Sequence, residues 1–119
     1  MWYVAHVIMY FELVSKRARP KDIAVYENMF LIKSKDEDSA FRIAEAIGKG
    51  QEGDRNGSLK TGGRKAVMRF GGVRKLIRCA GVGKPGSRTE LTYSRLRMNS
   101  TEDLKKLGRG DSVQVVYEE

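Results

Sequence analysis

The residues best suited to chemistry are twelve lysines and arginines that lie between positions 55 and 97. This basic segment contains a single acid, Glu90, so its net charge is +11. The 54 residues before it carry a net charge of −1, and residues 98–119 carry a net charge of −2. The +8 of the chain therefore belongs to one segment, which predicts a surface that meets an anionic partner.

Guanidinium and ammonium groups on one surface bind phosphates, and a neighbouring aromatic ring stacks on unpaired bases. Nine residues of the basic segment are candidates for such a surface. They are Arg64, Lys65, Arg69, Arg74, Arg78, Arg88, Tyr93, Arg95 and Arg97. The alternative interpretation is a solvated basic surface that only keeps the protein in solution.

Three functions are compatible with this charge pattern. We expect a non-enzymatic binding module for an anionic macromolecule, most simply nucleic acid. The alternative is an immunity-like or regulatory protein that binds an acidic protein partner. A phosphodiester-cleaving enzyme would need a general base, for which His6, Glu27 and Glu90 are the candidates. None of them lies in a recognisable catalytic motif, so no catalytic residue is predicted.

His6 and Cys79 are each the only residue of their type. His6 lies in an apolar stretch, which predicts a packed, hydrogen-bonded side chain and not a catalytic base. Cys79 lies between Arg78 and Ala80, and its apolar neighbours favour a buried, inert thiol. Zinc sites need several cysteines and histidines. We therefore expect neither a metal nor a cofactor.

Residues 81–86 match the dinucleotide-binding pattern G-x-G-x-x-G. That pattern binds a pyrophosphate only between a strand and the N-terminus of a helix. Here residues 89–98 have strand composition, and Pro85 lies within the loop. The segment is therefore predicted to be a flexible connection, in which backbone N–H groups and Lys84 could contact a phosphate.

The first third of the chain predicts an antiparallel hairpin. Residues 2–14 are apolar at both alternating sets of positions, which is typical of a long interior strand covered on both faces. The polar residues 15–21 interrupt this pattern, and residues 23–33 form the second predicted strand.

A helix is predicted after the hairpin. Ser34 and Glu37 have the spacing of a capping box, and Gly48 is the predicted end of the helix. The face expected to pack on the sheet is formed by residues at helical spacing: Ala40, Ile43, Ala44 and Ile47.

Residues 49–63 are rich in glycine and contain one large aliphatic side chain, Leu59. We expect a mobile loop or an irregular hairpin that buries almost nothing. If this segment takes part in binding, it should become ordered on the partner through Arg55, Lys60 and Arg64.

Residues 65–80 predict a strand that bends at Gly71 and Gly72, because the apolar positions change parity there. One bulge at this pair would place four cations on the same side of the strand: Lys65, Arg69, Arg74 and Arg78. Lys75 and Leu76 do not fit this scheme, and a turn at residues 73–75 is the alternative.

Residues 89–98 and 113–117 predict two further strands, separated by a short helix that Ser100 and Asp103 cap and that ends at Gly108. We therefore expect residues 1–119 to form a single α+β domain. Its predicted architecture is a largely antiparallel sheet with one main helix packed on one face and a short C-terminal helix. The single cysteine and the lack of a run of about 20 apolar residues predict a cytoplasmic protein that does not enter membranes.

Several pieces of the chain resemble a small family of uncharacterised bacterial proteins that is defined as a domain of unknown function. The matching pieces are Trp2-Tyr3-x-Ala5, Tyr26-Glu27-Asn28, the capped helix after Lys33, Phe70-Gly71-Gly72-Val73 and Thr89-Glu90-Leu91-Thr92-Tyr93-Ser94-Arg95. Residues 49–65 and the tail from Met98 onward are additional to this resemblance. It implies a compact α+β domain with two N-terminal strands and a helix, and it implies no catalytic residue.

Overall fold

The chain forms an antiparallel sheet with a helix on one face, in a computed structural model that describes residues 1–15, 23–79, 81 and 83–119. The elements are β1 (Trp2–Leu13), β2 (Val25–Lys33), α1 (Glu37–Gly50), β3 (Lys60–Thr61), β4 (Arg64–Arg78), β5 (Leu96–Arg97), α2 (Thr101–Arg109) and β6 (Val116–Tyr117). The main sheet has the order β2-β1-β4-β3, and β5 and β6 pair separately. The predicted α+β fold is confirmed.

β1 is the interior strand of the main sheet, as its apolar residues predict. It pairs antiparallel with β2 on one side and with β4 on the other. Its odd-numbered residues pack towards α1 in a buried cluster formed by Tyr3, Ala5, Val7, Met9, Ile32, Ala40 and Ala44. Its even-numbered residues Val4 and His6 are buried on the other side. We call these two sides the helix face and the opposite face.

The predicted hairpin of β1 and β2 is confirmed, although β2 begins at Val25 and not at residue 23. Residues 16–21 of the predicted polar break between the two strands lie outside the described residues.

The predicted N-cap of α1 is wrong by two residues. Asp36 caps the helix, because its Oδ1 accepts a hydrogen bond from the backbone N–H of Ser39 at 2.7 Å. The same interaction lowers the pKa of Asp36. Ser34 instead donates its backbone N–H to the carbonyl of Met1 at 2.9 Å, so it continues the pairing of the hairpin.

α1 also continues past its predicted end at Gly48, and Gln51 follows as the C-cap. Gly48 allows close packing and does not end the helix. A Cβ there would lie 2.3 Å from Cδ1 of Phe70 and 3.1 Å from Cγ1 of Val7. Glycine therefore allows the last turns of α1 to lie directly on the helix face. Ile43, which was expected to pack there, is 39% exposed.

β4 contains two irregularities where the sequence predicted one. Its register with β1 shifts near Gly71, as predicted, and shifts again at Arg74. The second shift restores the original alternation, so Arg78 lies opposite Tyr3 on the helix face. The predicted row of four cations on one side is therefore wrong for Arg78. The alternative of a turn at residues 73–75 is also wrong, because β4 continues through them.

The glycine-rich residues after α1 lie along β4. Gly53 and Met68 exchange two backbone hydrogen bonds, at 3.1 and 2.7 Å. The backbone N–H of Ala66 donates to the carbonyl of Leu59 at 3.0 Å, and the Leu59 side chain is only 5% exposed. The expectation that this segment buries almost nothing is wrong at Leu59, and its mobility stays a prediction.

The C-terminal region contains less strand than predicted. Residues 89–95 form no strand, and β5 pairs with β6 over two residues each. The Ser100 cap of α2 is confirmed, because its Oγ accepts a hydrogen bond from the N–H of Asp103 at 3.1 Å. The helix ends at Arg109 and not at Gly108, and Gly110, with φ 83°, is its C-cap. In the described part of the chain, no helix has the length and apolarity needed to cross a membrane.

Candidate basic interface

The cations of the basic segment fall into two classes according to their carboxylate partners. Five lie within 4 Å of a carboxylate: Arg69, Arg74, Lys75, Arg95 and Arg97. The other seven have no such partner among the described residues: Arg55, Lys60, Arg64, Lys65, Arg78, Lys84 and Arg88. Arg95 and Arg97 share the single carboxylate of Glu118, so most, but not all, of the charge available to an external anion belongs to the second class.

Six of the seven cations without a carboxylate partner lie in two groups at the two ends of β4. Arg64 is the first residue of this 15-residue strand, and Arg78 is the last. Because β4 contains two bulges, its 14 steps span about as much as 12 regular ones, so at about 3.3 Å per residue the two ends are roughly 40 Å apart. Arg55, Lys60 and Lys65 belong to the Arg64 end, and the remaining two follow Arg78 in the chain. The twelve cations therefore do not converge on one surface.

The group at the start of β4 is the denser one. We call Arg55, Lys60, Arg64 and Lys65 the basic hairpin. Gly62 and Gly63 form its two-residue turn with φ of 56° and 77°, which is the type I′ geometry that suits the twist of a hairpin. All four cationic residues are exposed.

The register of the basic hairpin places two like charges against each other. Lys60 lies directly opposite Lys65, and Thr61 lies opposite Arg64. Side chains at directly opposed positions share a face, and like charges there destabilise the strand pair. An anion bound between the two ammonium groups would relieve that repulsion. The hairpin is therefore suited to holding a phosphate.

A buried network on the opposite face explains why Arg74 is not available to a ligand. His6 is fully buried, with Nδ1 at 2.9 Å from Oε1 of Glu27 and Nε2 at 2.5 Å from Oγ1 of Thr92. Arg74 donates from Nε to the same Glu27 oxygen at 2.7 Å, and its guanidinium lies 4.1 Å from the ring centroid of Tyr117. The prediction of a packed, hydrogen-bonded His6 is confirmed.

Two carboxylates neutralise the centre of this network. Burial raises the pKa of Glu27, but hydrogen bonds from His6 and Arg74 and the charge of Arg74 outweigh it, so the net pKa is lowered. Hydrogen bonds from Lys75 and Arg74 lower the pKa of Glu119 to about 2. Both acids are ionised at neutral pH, and they compensate the two basic side chains they contact.

Glu27, His6 and Thr92 are hydrogen-bonded in the order carboxylate, imidazole and hydroxyl, which is the order of a catalytic triad. The imidazole, however, is fully buried beneath residues 89–95. The hydrogen bonds therefore attach residues 89–95 to the opposite face of the sheet.

A comparison with protein families assigns most of the chain to one family. The model of a domain of unknown function, DUF4288, matches residues 2–91. The chain belongs to this family. No curated protein and no solved structure matches the chain.

The DUF4288 match contains the main sheet, α1 and the whole of the basic hairpin. β5, α2 and β6 lie beyond it, as does Glu119. The resemblance noted in the sequence reached residue 97, whereas the family match ends at Leu91. The additional residues 49–65 lie inside the matched range.

The structure separates the nine binding candidates that the sequence predicted. Arg64 and Lys65 lie in the basic hairpin, whereas Arg78 lies at the other end of β4 and Arg88 follows it ten residues later in the chain. The other five have partners within the protein: Arg69 with Glu12, Arg74 with Glu27 and Glu119, Arg95 and Arg97 with Glu118, and Tyr93 with the Lys75 ammonium 4.7 Å from its ring centroid. Site membership of these residues stays a prediction.

Lys60 was expected only as a contact made by a mobile loop, and its pairing with Lys65 was not predicted. The signal was present in the sequence. Gly62 and Gly63 are a strong two-residue hairpin signal, and a hairpin about that pair places Lys60 opposite Lys65.

In the described residues there is no group of three or more histidine, cysteine or acidic side chains arranged to hold a metal ion.

Proposed function

We propose that the protein is a non-enzymatic binding module for an anionic macromolecule, most simply nucleic acid, in a cytoplasmic bacterial setting. The observation that supports this function is the exposed Lys60–Lys65 pair, which has no carboxylate within 4 Å in the described part of the chain. Arg55 and Arg64 complete a set of four cations that a phosphate backbone would neutralise.

The number of cations that contact phosphates determines how steeply the affinity falls with salt. If each residue of the basic hairpin contacts one phosphate, the logarithm of affinity should fall with the logarithm of salt with a slope of about −3 for single strands. Twelve available cations would give a slope near −8 by the same rule. The measured slope therefore reports how much of the basic segment takes part.

The test is the affinity of labelled oligonucleotides, measured by fluorescence anisotropy between 50 and 300 mM salt. One variant carries Lys60→Gln, Arg64→Gln and Lys65→Gln. The matched control neutralises three cations that already have carboxylate partners, through Arg69→Gln, Arg95→Gln and Arg97→Gln. Both variants lose the same net charge.

We expect the hairpin variant to bind at least tenfold more weakly, with a salt slope that is shallower by about 2. The control should change affinity by no more than about twofold. Equal losses in both variants would show that affinity follows net charge and not the hairpin. Salt-insensitive binding, or no binding at low ionic strength, would refute the nucleic-acid function.

A second candidate function is binding of an acidic protein partner. The basic segment would supply the complementary charge, and the edge position of β2 favours a protein as the partner. β2 is an edge strand of the main sheet. It exposes between 45 and 55% of four apolar residues: Val25, Tyr26, Met29 and Leu31. Three of them, Val25, Met29 and Leu31, lie on the opposite face. An edge strand with exposed apolar side chains is suited to pairing with an extended segment of another chain.

Affinity purification from nuclease-treated and untreated lysates separates the two functions. Recovery of one acidic protein in stoichiometric amount from treated lysate, with slowed amide exchange in β2, would support the second function. Recovery of nucleic acid from untreated lysate alone would support the first.

A further inference from the structure

We propose that a cavity beside the basic hairpin binds an unpaired base, so that the preferred ligand is single-stranded nucleic acid. This inference rests on the proposed nucleic-acid function and specifies the class of substrate. It follows from the walls of the cavity, from its polar groups and from its connection to the hairpin.

The cavity lies on the helix face, beyond the end of α1, and has a volume of about 500 Å³. This volume lies within the range of cavities that hold small organic ligands. Its apolar wall includes Phe11, Tyr26, Leu59 and Met68. The rings of Phe11 and Tyr26 meet edge to face, with centroids 5.5 Å apart and planes at 64°.

Tyr26 is 48% exposed although it belongs to this apolar wall. Its contact with Phe11 holds the ring in place, and nearly half of the residue remains exposed to solvent. A base that stacks on an aromatic ring covers such a surface, and this works for every base because each has a π face. Tyr26 is therefore suited to act as a stacking platform.

The polar groups of the cavity suit the edge of a base and not a phosphate. Asn28 and Gln51 provide amides that both donate and accept hydrogen bonds. Glu52 provides a carboxylate that accepts a hydrogen bond from the backbone N–H of Phe70 at 3.1 Å. A carboxylate accepts from the exocyclic amines of bases, whereas it repels a phosphate.

Arg55 joins the cavity to the basic hairpin, because it lines the cavity and lies in the turn that the hydrogen bond from Leu59 to Asp54 closes just before β3. The segment between them is tied to β4 by hydrogen bonds from Gly53 to Met68 and from Ala66 to Leu59. A strand with one base in the cavity would pass its next phosphates over Arg55 towards Arg64, which lies on the helix face like Ala66. A duplex cannot make the first contact, since its bases are paired inside the helix.

The test compares 12-nucleotide single strands of DNA and of RNA with a duplex of the same sequence. Tyr26→Ala removes the platform, Tyr26→Phe keeps the ring, and Phe41→Ala is a control at another exposed aromatic residue, 41% exposed on α1. A fluorescent base analogue placed once in the strand reports stacking through quenching. Thermal unfolding of each variant verifies that it folds.

We expect Tyr26→Ala to bind single strands about tenfold more weakly, to lose the quenching and to keep the salt slope of the wild type. Tyr26→Phe and Phe41→Ala should bind as the wild type does. Similar results for DNA and RNA would assign recognition to the base, and a preference for RNA would add a contact to the 2′-hydroxyl.

Equal affinity of the wild-type protein for duplex and single strand, or equal effects of Tyr26→Ala and Phe41→Ala, would overturn the inference. In those cases salt-dependent binding through the hairpin would still support the proposed function. Absence of binding to any oligonucleotide at 50 mM salt would overturn both.

Discussion

Replacing Lys60 by glutamate should stabilise the protein and weaken its binding of nucleic acid at the same time. Lys60 and Lys65 lie directly opposite each other and are both exposed. The substitution converts a repulsive cross-strand pair into an attractive one. Such a pair contributes about 0.2–1 kcal/mol at an exposed position. Loss of the repulsion together with the new attraction should raise the free energy of unfolding by about 0.5–1.5 kcal/mol.

A double-mutant cycle measured by urea unfolding tests this magnitude. Lys60→Glu and Lys65→Glu should each stabilise the fold, and the double variant should return towards the wild-type stability because it restores a like-charge pair. Lys60→Gln removes only the repulsion, so it should give about half of the gain. In 1 M NaCl, where the Debye length is about 3 Å, all four differences should shrink.

The same variants also test the prediction for binding. Lys60→Glu removes one phosphate contact, so the salt slope for a single strand should become shallower by about 0.7. If Lys60→Glu lowers stability at low salt, or if the double variant is more stable than both single variants, the two ammonium groups do not interact and the reasoning is wrong.

Three further predictions concern the fold. Gly48→Ala should destabilise the protein by about 1–3 kcal/mol, because the new Cβ would lie 2.3 Å from the Phe70 ring, whereas Gly50→Ala meets nothing within 4 Å and should be neutral or stabilising in thermal unfolding. A carboxyl whose pKa is lowered by folding stabilises the fold above its unfolded pKa. The contribution of Glu119 should therefore be complete above pH 4.5 and be lost as pH falls to about 2, and Glu119→Gln should lack this part of the acid transition in near-UV circular dichroism. Limited trypsin digestion should cut first after Lys49, Arg55 or Lys60 if residues 49–63 are mobile, and a first cut within β1, β2 or β4 would contradict that mobility.

The regular elements could be predicted because their signals are local. The apolar run of β1 and the helical spacing of α1 depend only on neighbouring residues. The N-cap of α1 could not be chosen from the sequence, because Ser34 and Asp36 are both good capping residues. Ser34 is excluded by its hydrogen bond to Met1, which lies 33 residues away. The second bulge of β4 likewise depends on its register with β1.

The candidate site also has some features that follow from local sequence and others that depend on distant residues. The Lys60–Lys65 pair follows from a local turn at Gly62 and Gly63, so the sequence contains it. The neutralisation of Arg74 does not follow from the local sequence, because its carboxylate partners lie 47 and 45 residues away in the chain. Net charge counted along a segment therefore overstates the charge that the folded surface presents.

The two neighbours of β1 reach it at different stages of synthesis. β2 ends at Lys33, whereas β4, which covers the other edge of β1, ends at Arg78, 45 residues later. At about 5–20 residues per second, a ribosome needs roughly 2–9 s to make those residues. During this interval the apolar edge of β1 is open to pairing with another nascent chain. The yield of native protein in a cell should therefore depend on translation rate and chaperone supply, even for variants whose final stability is unchanged.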